Sequence, residues 1–135
     1  MSESKMAVDG ELWKQVKFDG QGLVPAIAQH HRTGEILMQA FMNADTLKET
    51  LETGCAVYWS RSRAKRWMKG ETSGNVQRVL EILVDCDVDS LVLLVDPSGP
   101  ACHTGKESCY YRRLAKRDAE PAGESGCAGC GGCCG

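Results

Sequence analysis

Two apolar runs joined by a cluster of acids constrain this chain more than any other feature. VQRVLEILVDCD (76–87) and SLVLLVD (90–96) are each long enough for a strand and too rich in Val, Leu and Ile to stay in solvent, and Asp89-Ser90 between them favours a turn. The pair therefore predicts an antiparallel hairpin inside a sheet. Its difficulty is Asp85-Cys86-Asp87-Val88-Asp89. Carboxylates in a buried strand are costly unless something positive pairs them.

The flanking sequence supplies more strands than helices. LVPAIAQH (23–30) and EILMQAFM (35–42) read as strands joined by a turn at Thr33-Gly34, CAVYWSR (55–61) as an aromatic, β-branched strand, and CYYRRL (109–114) as a last strand. One helix signal is complete: Asn43 as N-cap, Asp45 in the first turn, Leu47 and Leu51 one turn apart, Gly54 as the stop. SRAKRWMKGETSGN (62–75) and PSGPACHTGKES (97–108) read as loops. Five or six strands against one main helix predict a compact α+β fold with a mostly antiparallel sheet. Residues 1–12 read as a mobile polar arm, 13–117 as the single domain, and 118–135, AEPAGESGCAGCGGCCG at its core, as a low-complexity flexible tail.

Bulk properties narrow the class. At 135 residues the chain can bury one core without staples, and a net charge of -2 argues against a protein built to grip duplex nucleic acid. No stretch reaches the roughly 20 apolar residues of a membrane span. MSESKMAVDGELWK lacks the apolar centre of a signal peptide, so the cytoplasm is the expected compartment. In that reducing setting eight cysteines point to metal ligands or free thiols rather than disulfides.

The thiols fall into two groups. Cys102 and Cys109 are separated by six residues, His103 among them, and Cys86 comes from the neighbouring hairpin. Three thiolates without a fourth protein ligand match a catalytic zinc site with one open position; the competing reading makes them small buried hydrophobes. If the strand continues to Asp89, alternation puts Asp85, Asp87 and Asp89 on one face and Cys86 on the other. Two sites then follow, a hard oxygen site suited to Mg²⁺ and a soft site for Cys86, completed by Cys102 and Cys109 of a second subunit. Alternatively the acids are simply the solvent side of an edge strand.

A third feature is the basic loop. Arg61, Arg63, Lys65, Arg66 and Lys69, followed by Thr72-Ser73-Gly74-Asn75, offer cations beside hydroxyl and backbone donors suited to phosphate oxygens, and Trp67 offers an indole for stacking on a base. A solvated basic face is the plainer reading, and an RNA-binding loop is disfavoured by the acidic pI of about 5.9. His103 is a candidate general acid/base, with a zinc ligand or a loop histidine as alternatives. His30 and His31 read as solvated turn residues.

Taken together, SRSR, W-KGETSGN-Q, D-C-D-V-D and GPACHTG…SC-YR resemble the phosphoribosyl-AMP cyclohydrolase family of histidine biosynthesis. LVPAI, TGE-LM, MN, TLETG and YWSRSR extend the likeness over roughly residues 12–114. The resemblance implies an intertwined homodimer with active sites at the subunit interface. It assigns one Zn²⁺ per subunit, shared across the interface, to Cys86 of one chain and Cys102 and Cys109 of the other. It assigns Mg²⁺ to Asp85, Asp87 and Asp89. Arg61, Arg63, Trp67, Lys69, Glu71, Thr72, Ser73 and Asn75 are the expected substrate and phosphate contacts, although Asn75 stands where the family often carries His.

The implied reaction is hydrolytic opening of the adenine ring of 1-(5-phosphoribosyl)-AMP at N1–C6 by zinc-activated water, the third step of histidine biosynthesis. It yields the phosphoribosylformimino-AICAR-phosphate product. Retention of the exocyclic amino group separates it from deamination, and the zinc deaminase signature is missing. Three thiolates leave zinc a weaker acidifier of water than three histidines, so His103 is expected to assist proton transfer. The contrasting expectation is a non-catalytic zinc-binding or metal-handling module, supported by Cys127, Cys130, Cys133 and Cys134. The expected partners are a small nucleotide and a second copy of the chain, with neither nucleic acid nor membrane.

Overall fold

The computed structural model describes residues 6–71, 73–99, 101 and 105–117. Thr72, Cys102, His103 and the tail cysteines lie outside them. The chain runs α1 (Gly10–Gln15), β1 (Val24–His30), β2 (Ile36–Met42), α2 (Ala44–Thr53), β3 (Val57–Ser60), β4 (Lys65–Met68), β5 (Gln77–Val84) and β6 (Leu91–Pro97). The sheet order is β4-β3-β2-β1-β6-β5. Every neighbouring pair is antiparallel except β1 with β6, which brings the expected α+β class and mostly antiparallel sheet onto the page.

The sheet curls until β5 reaches the residues that lead into β3. The outer edge of β5 bonds to the run entering β3: Ala56 N–H donates to Gln77 O at 2.9 Å, Val79 N–H to Gly54 O at 2.8 Å, and Cys55 bridges Arg78. Alternation then assigns an inside and an outside. Val24, Ala26, Ala28, Met38, Met42, Leu91, Leu93 and Val95 point inward and are buried, each of the larger ones contributing about 1.5–3 kcal/mol. Pro25, Ile27, Val92 and Leu94 alternate with them and are only half-buried. One polar contact crosses the interior: Tyr58 OH donates to Gln77 Oε1 at 2.8 Å, and Gln77 Nε2 reaches Met38 Sδ at 3.4 Å. Burial drives the Tyr58 phenol far above its ordinary value.

The helix α2 follows its sequence signals. Asn43 Oδ1 accepts from Thr46 N–H at 2.8 Å while Thr46 Oγ1 accepts from Asn43 N–H at 3.0 Å, a reciprocal capping box. Gly54 closes the helix at φ 80, a conformation that costs glycine little.

Four expectations change. The stretch 1–12 was expected to be a mobile arm, but from Met6 onward it is docked: Met6 N–H donates to Leu51 O at 3.0 Å and Asp9 caps α1. The basic stretch after residue 61 is not all loop, since Lys65–Met68 forms β4, with Tyr58 opposite Trp67. Residues 109–114 form no strand. Cys109 N–H makes one backbone bond, to Leu37 O at 2.7 Å, where β1 and β3 already flank β2. Finally, β5 stops at Val84, so Asp85 to Asp89 is a turn and not strand.

Candidate functional site

That last difference changes why the acids converge. Alternation along a strand does not apply to residues 85–89, yet Asp85, Asp87 and Asp89 still present carboxylate oxygens within 4.8 Å of one another. The turn wraps them together. Val88 N–H donates to Asp85 O at 3.0 Å, and Asp89 N–H donates to Asp85 Oδ1 at 2.9 Å. Val88 takes φ 56, an unfavourable left-handed conformation for a β-branched residue, held from outside by Lys17 N–H on its carbonyl at 2.8 Å.

The electrostatics match the geometry. The backbone N–H of Asp89 holds the Asp85 carboxyl below its ordinary value. The Asp89 carboxyl is pushed up, first by its hydrogen bond with the Asp85 carboxyl and also by the charges of Asp85 and Asp87. Three exposed oxygens that repel one another suit a hard divalent cation, which takes oxygen ligands and relieves that repulsion. Among the described residues this is the one group of three or more such side chains so placed. Cys86 is exposed and does not join it.

Lys69, Ser73, Asn75 and Cys109, by contrast, lie toward the other end of β5. Eight residues of strand separate Val76 from Asp85, roughly 30 Å at ~3.3 Å per residue step. There the loop 69–76 meets the segment after β6. Ser98 N–H donates to Val76 O at 2.9 Å, and the half-buried Lys69 Nζ donates to Ala101 O at 2.6 Å. Cys109, exposed, is anchored to the start of β2, and Ser108 Oγ beside it donates to Ile36 O at 2.6 Å. Ser108 was not singled out from sequence, because a serine's partner 72 positions away leaves no local signal.

The cations of the basic stretch divide by what they touch. Arg66 grips Glu49 of α2 with Nε and Nη2 at 2.7 and 2.6 Å and reaches Glu71 at 3.4 Å. Arg61 lies over the Phe41 ring at 4.2 Å, in a cleft of about 530 Å³ also lined by Trp59, Ser62 and Trp67. Trp67 packs at a tilt against Tyr58, ring centroids 5.0 Å apart, so part of its indole serves the core. Arg63 and Lys65 make no ion pair among the described residues. Ser73 Oγ accepts from Asn75 N–H at 3.2 Å. A larger groove, about 880 Å³ beside β5, holds none of the expected site residues.

Fold and site thus define a class: a curled α+β sheet carrying a turn of three converging carboxylates at one end and Cys109, Lys69 and a glycine loop toward the other. Its sequence relatives make the class specific. The phosphoribosyl-AMP cyclohydrolase family model matches residues 38–111, which include the basic stretch, the acidic turn and Cys102 to Cys109. A phosphoribosyl-AMP cyclohydrolase of Cereibacter sphaeroides is 59% identical over 97 residues, covering 72% of this chain and 82% of the relative. One from Methanococcoides burtonii is 59% identical over 99 residues, covering 73% and 82%. One from Rhodospirillum rubrum is 51% identical over 121 residues, covering 90% and 81%. The chain belongs to the phosphoribosyl-AMP cyclohydrolase family and is an enzyme. That sets aside the non-catalytic module. No helix among the described residues is long and apolar enough to cross a membrane.

Proposed function

We propose that this chain hydrolyses the N1–C6 bond of 1-(5-phosphoribosyl)-AMP, the third step of histidine biosynthesis, in the cytoplasm. The observation that carries the reading is the family match across residues 38–111, which takes in the acidic turn, the basic loop and the segment around Cys109 at once. Water adds to C6, the N1–C6 bond breaks, N1 takes a proton, and the exocyclic amino group stays as a carboxamide. His103 is the proton carrier, and Arg61, Arg63 and the Thr72-Ser73 segment hold the two phosphates, with Mg²⁺ at Asp85, Asp87 and Asp89.

Zinc is assigned to Cys86, Cys102 and Cys109. The exposure of Cys86 and Cys109 favours ligand roles over core packing. When bound, zinc supplies a Lewis acid that yields a nucleophilic water near neutral pH. The separation of the two thiol-bearing ends favours a site shared by two chains. Exposed apolar side chains stand beside both: Leu83 before the acidic turn, and Ile36, Tyr110 and Tyr111 around Cys109. The half-buried outer sheet face of Pro25, Ile27, Val92 and Leu94 adds surface a second copy would cover.

The test is direct. Purified protein is assayed for ring opening by ultraviolet absorbance, with zinc counted per chain, before and after chelation. Turnover lost on chelation and regained with Zn²⁺ and Mg²⁺ is expected. A folded, metal-loaded protein without turnover sinks the proposal.

A further inference from the structure

The ammonium of Lys69 is half-buried and 2.6 Å from the carbonyl of Ala101, itself 4% exposed and part of the core. A cation so placed is committed to a backbone oxygen rather than offered to a ligand. Three further contacts join the same two stretches. Ser98 N–H donates to Val76 O at 2.9 Å. The Asn75 carboxamide occupies the space beside Gly99, where a Cβ would stand 2.3 Å from Oδ1 and 2.7 Å from Cγ. Gly70, at φ +86, lets the backbone pass so close that a Cβ there would lie 2.3 Å from Asn75 C.

We infer that Lys69 is a positioning residue, a strut that fixes the Ala101 carbonyl and, with Asn75 wedged against Gly99, makes Lys69, Gly70, Asn75 and Val76 one unit with Ser98, Gly99 and Ala101. The inference deepens the proposed function and rests on it for its kinetic arm. Ala101 immediately precedes Cys102 in the chain, so the strut sets the backbone that enters the thiol-bearing segment. The substrate's phosphates then fall to Arg61 and Arg63, and Lys69 touches neither phosphate nor base. Lysine suits the task because three donors on one nitrogen satisfy a carbonyl at the end of a long apolar stem.

The strut is tested with Lys69→Met, which keeps the stem and removes the donors, and Lys69→Arg, which restores donors. In Lys69→Met, kcat is expected to fall on the order of 10²-fold, the cost of misplacing groups near the chemistry, with KM moving less than about threefold. Lys69→Arg is expected to recover most of that loss. Amide exchange at Ser98 and Ala101, measured on the wild type and Lys69→Met without substrate, should quicken about tenfold or more in the variant. A large rise in KM with kcat kept would make Lys69 a phosphate contact and overturn the inference. So would unchanged exchange, or an arginine variant no better than methionine. If the wild type itself shows no turnover the functional reading fails, and the exchange measurement still decides the strut.

Discussion

Asp89 N–H donates to Asp85 Oδ1 at 2.9 Å, closing a turn that holds the two carboxylates and Asp87 within one cation's reach. The same bond holds the Asp85 carboxyl below its ordinary value, while the facing Asp85 carboxyl pushes that of Asp89 up.

Replacing Asp87 by Asn should therefore leave folding intact and weaken Mg²⁺ binding by at least about tenfold, the lower end of the loss seen when even supporting residues of a metal site are removed. Titration calorimetry with Mg²⁺ on wild type and Asp87→Asn checks it. Zinc content should not change, and equal Mg²⁺ affinity in both proteins would remove the turn from consideration.

The placement of the thiols at opposite ends of β5 makes sharing between chains testable by complementation. Cys86→Ser and Cys109→Ser proteins should each be inactive and low in zinc. Unfolded and refolded together in equal amounts, half the dimers are mixed, and each mixed dimer has one site with neither substitution. Activity should return to about one quarter of wild type. No recovery, with mixed dimers demonstrated by mass spectrometry, would mean that each chain builds its own site.

Inside the sheet, Tyr58 and Gln77 satisfy each other where no water reaches them. Tyr58→Phe leaves the Gln77 oxygen without its donor and should cost about 1–3 kcal/mol in urea unfolding. Adding Gln77→Met to Tyr58→Phe should recover part of that loss, since both polar groups then leave together. A double variant less stable than the sum of the singles contradicts this account.

The Arg66 guanidinium beside Glu49 holds that carboxyl below its usual value of 4.5. A lowered carboxyl contributes stability above its unfolded value and loses it as pH falls through the folded one. Glu49→Gln should lower Tm at pH 7 by about 2–4 °C, as befits a largely exposed pair contributing about 0.5 kcal/mol. The gap from wild type should narrow below about pH 4.5, where the unfolded carboxyl is already protonated. A gap independent of pH from 7 to 3 would assign the loss to packing instead.

Much of this molecule is written locally. The alternation in residues 24–30 and 91–96, the Asn43 cap and the Gly54 stop act over a few neighbouring residues, and the elements they specify stand where periodicity places them. Strand β4 was hidden because Lys65 and Arg66 are exposed and Trp67 alone of its four residues packs on the core, a contribution that has meaning only opposite β3. The convergence of Asp85, Asp87 and Asp89 was legible as a cluster, while its cause was not. Strand alternation and a tight turn gather alternate residues equally well, and only the end of β5 at Val84 distinguishes them.

The sequence by itself determined the core strands β1, β2, β3, β5 and β6, the helix α2, the acidic cluster and the family, because these rest on short-range propensity and on motifs read in order along the chain. Tertiary structure alone decided that Cys86 and Cys109 face solvent at opposite ends of the sheet. It also decided that Lys69 spends its charge on the carbonyl of Ala101, 32 positions away. Those facts depend on how a curled sheet returns distant segments to one another, and no local pattern encodes a contact whose partner is set by the register of strands between them.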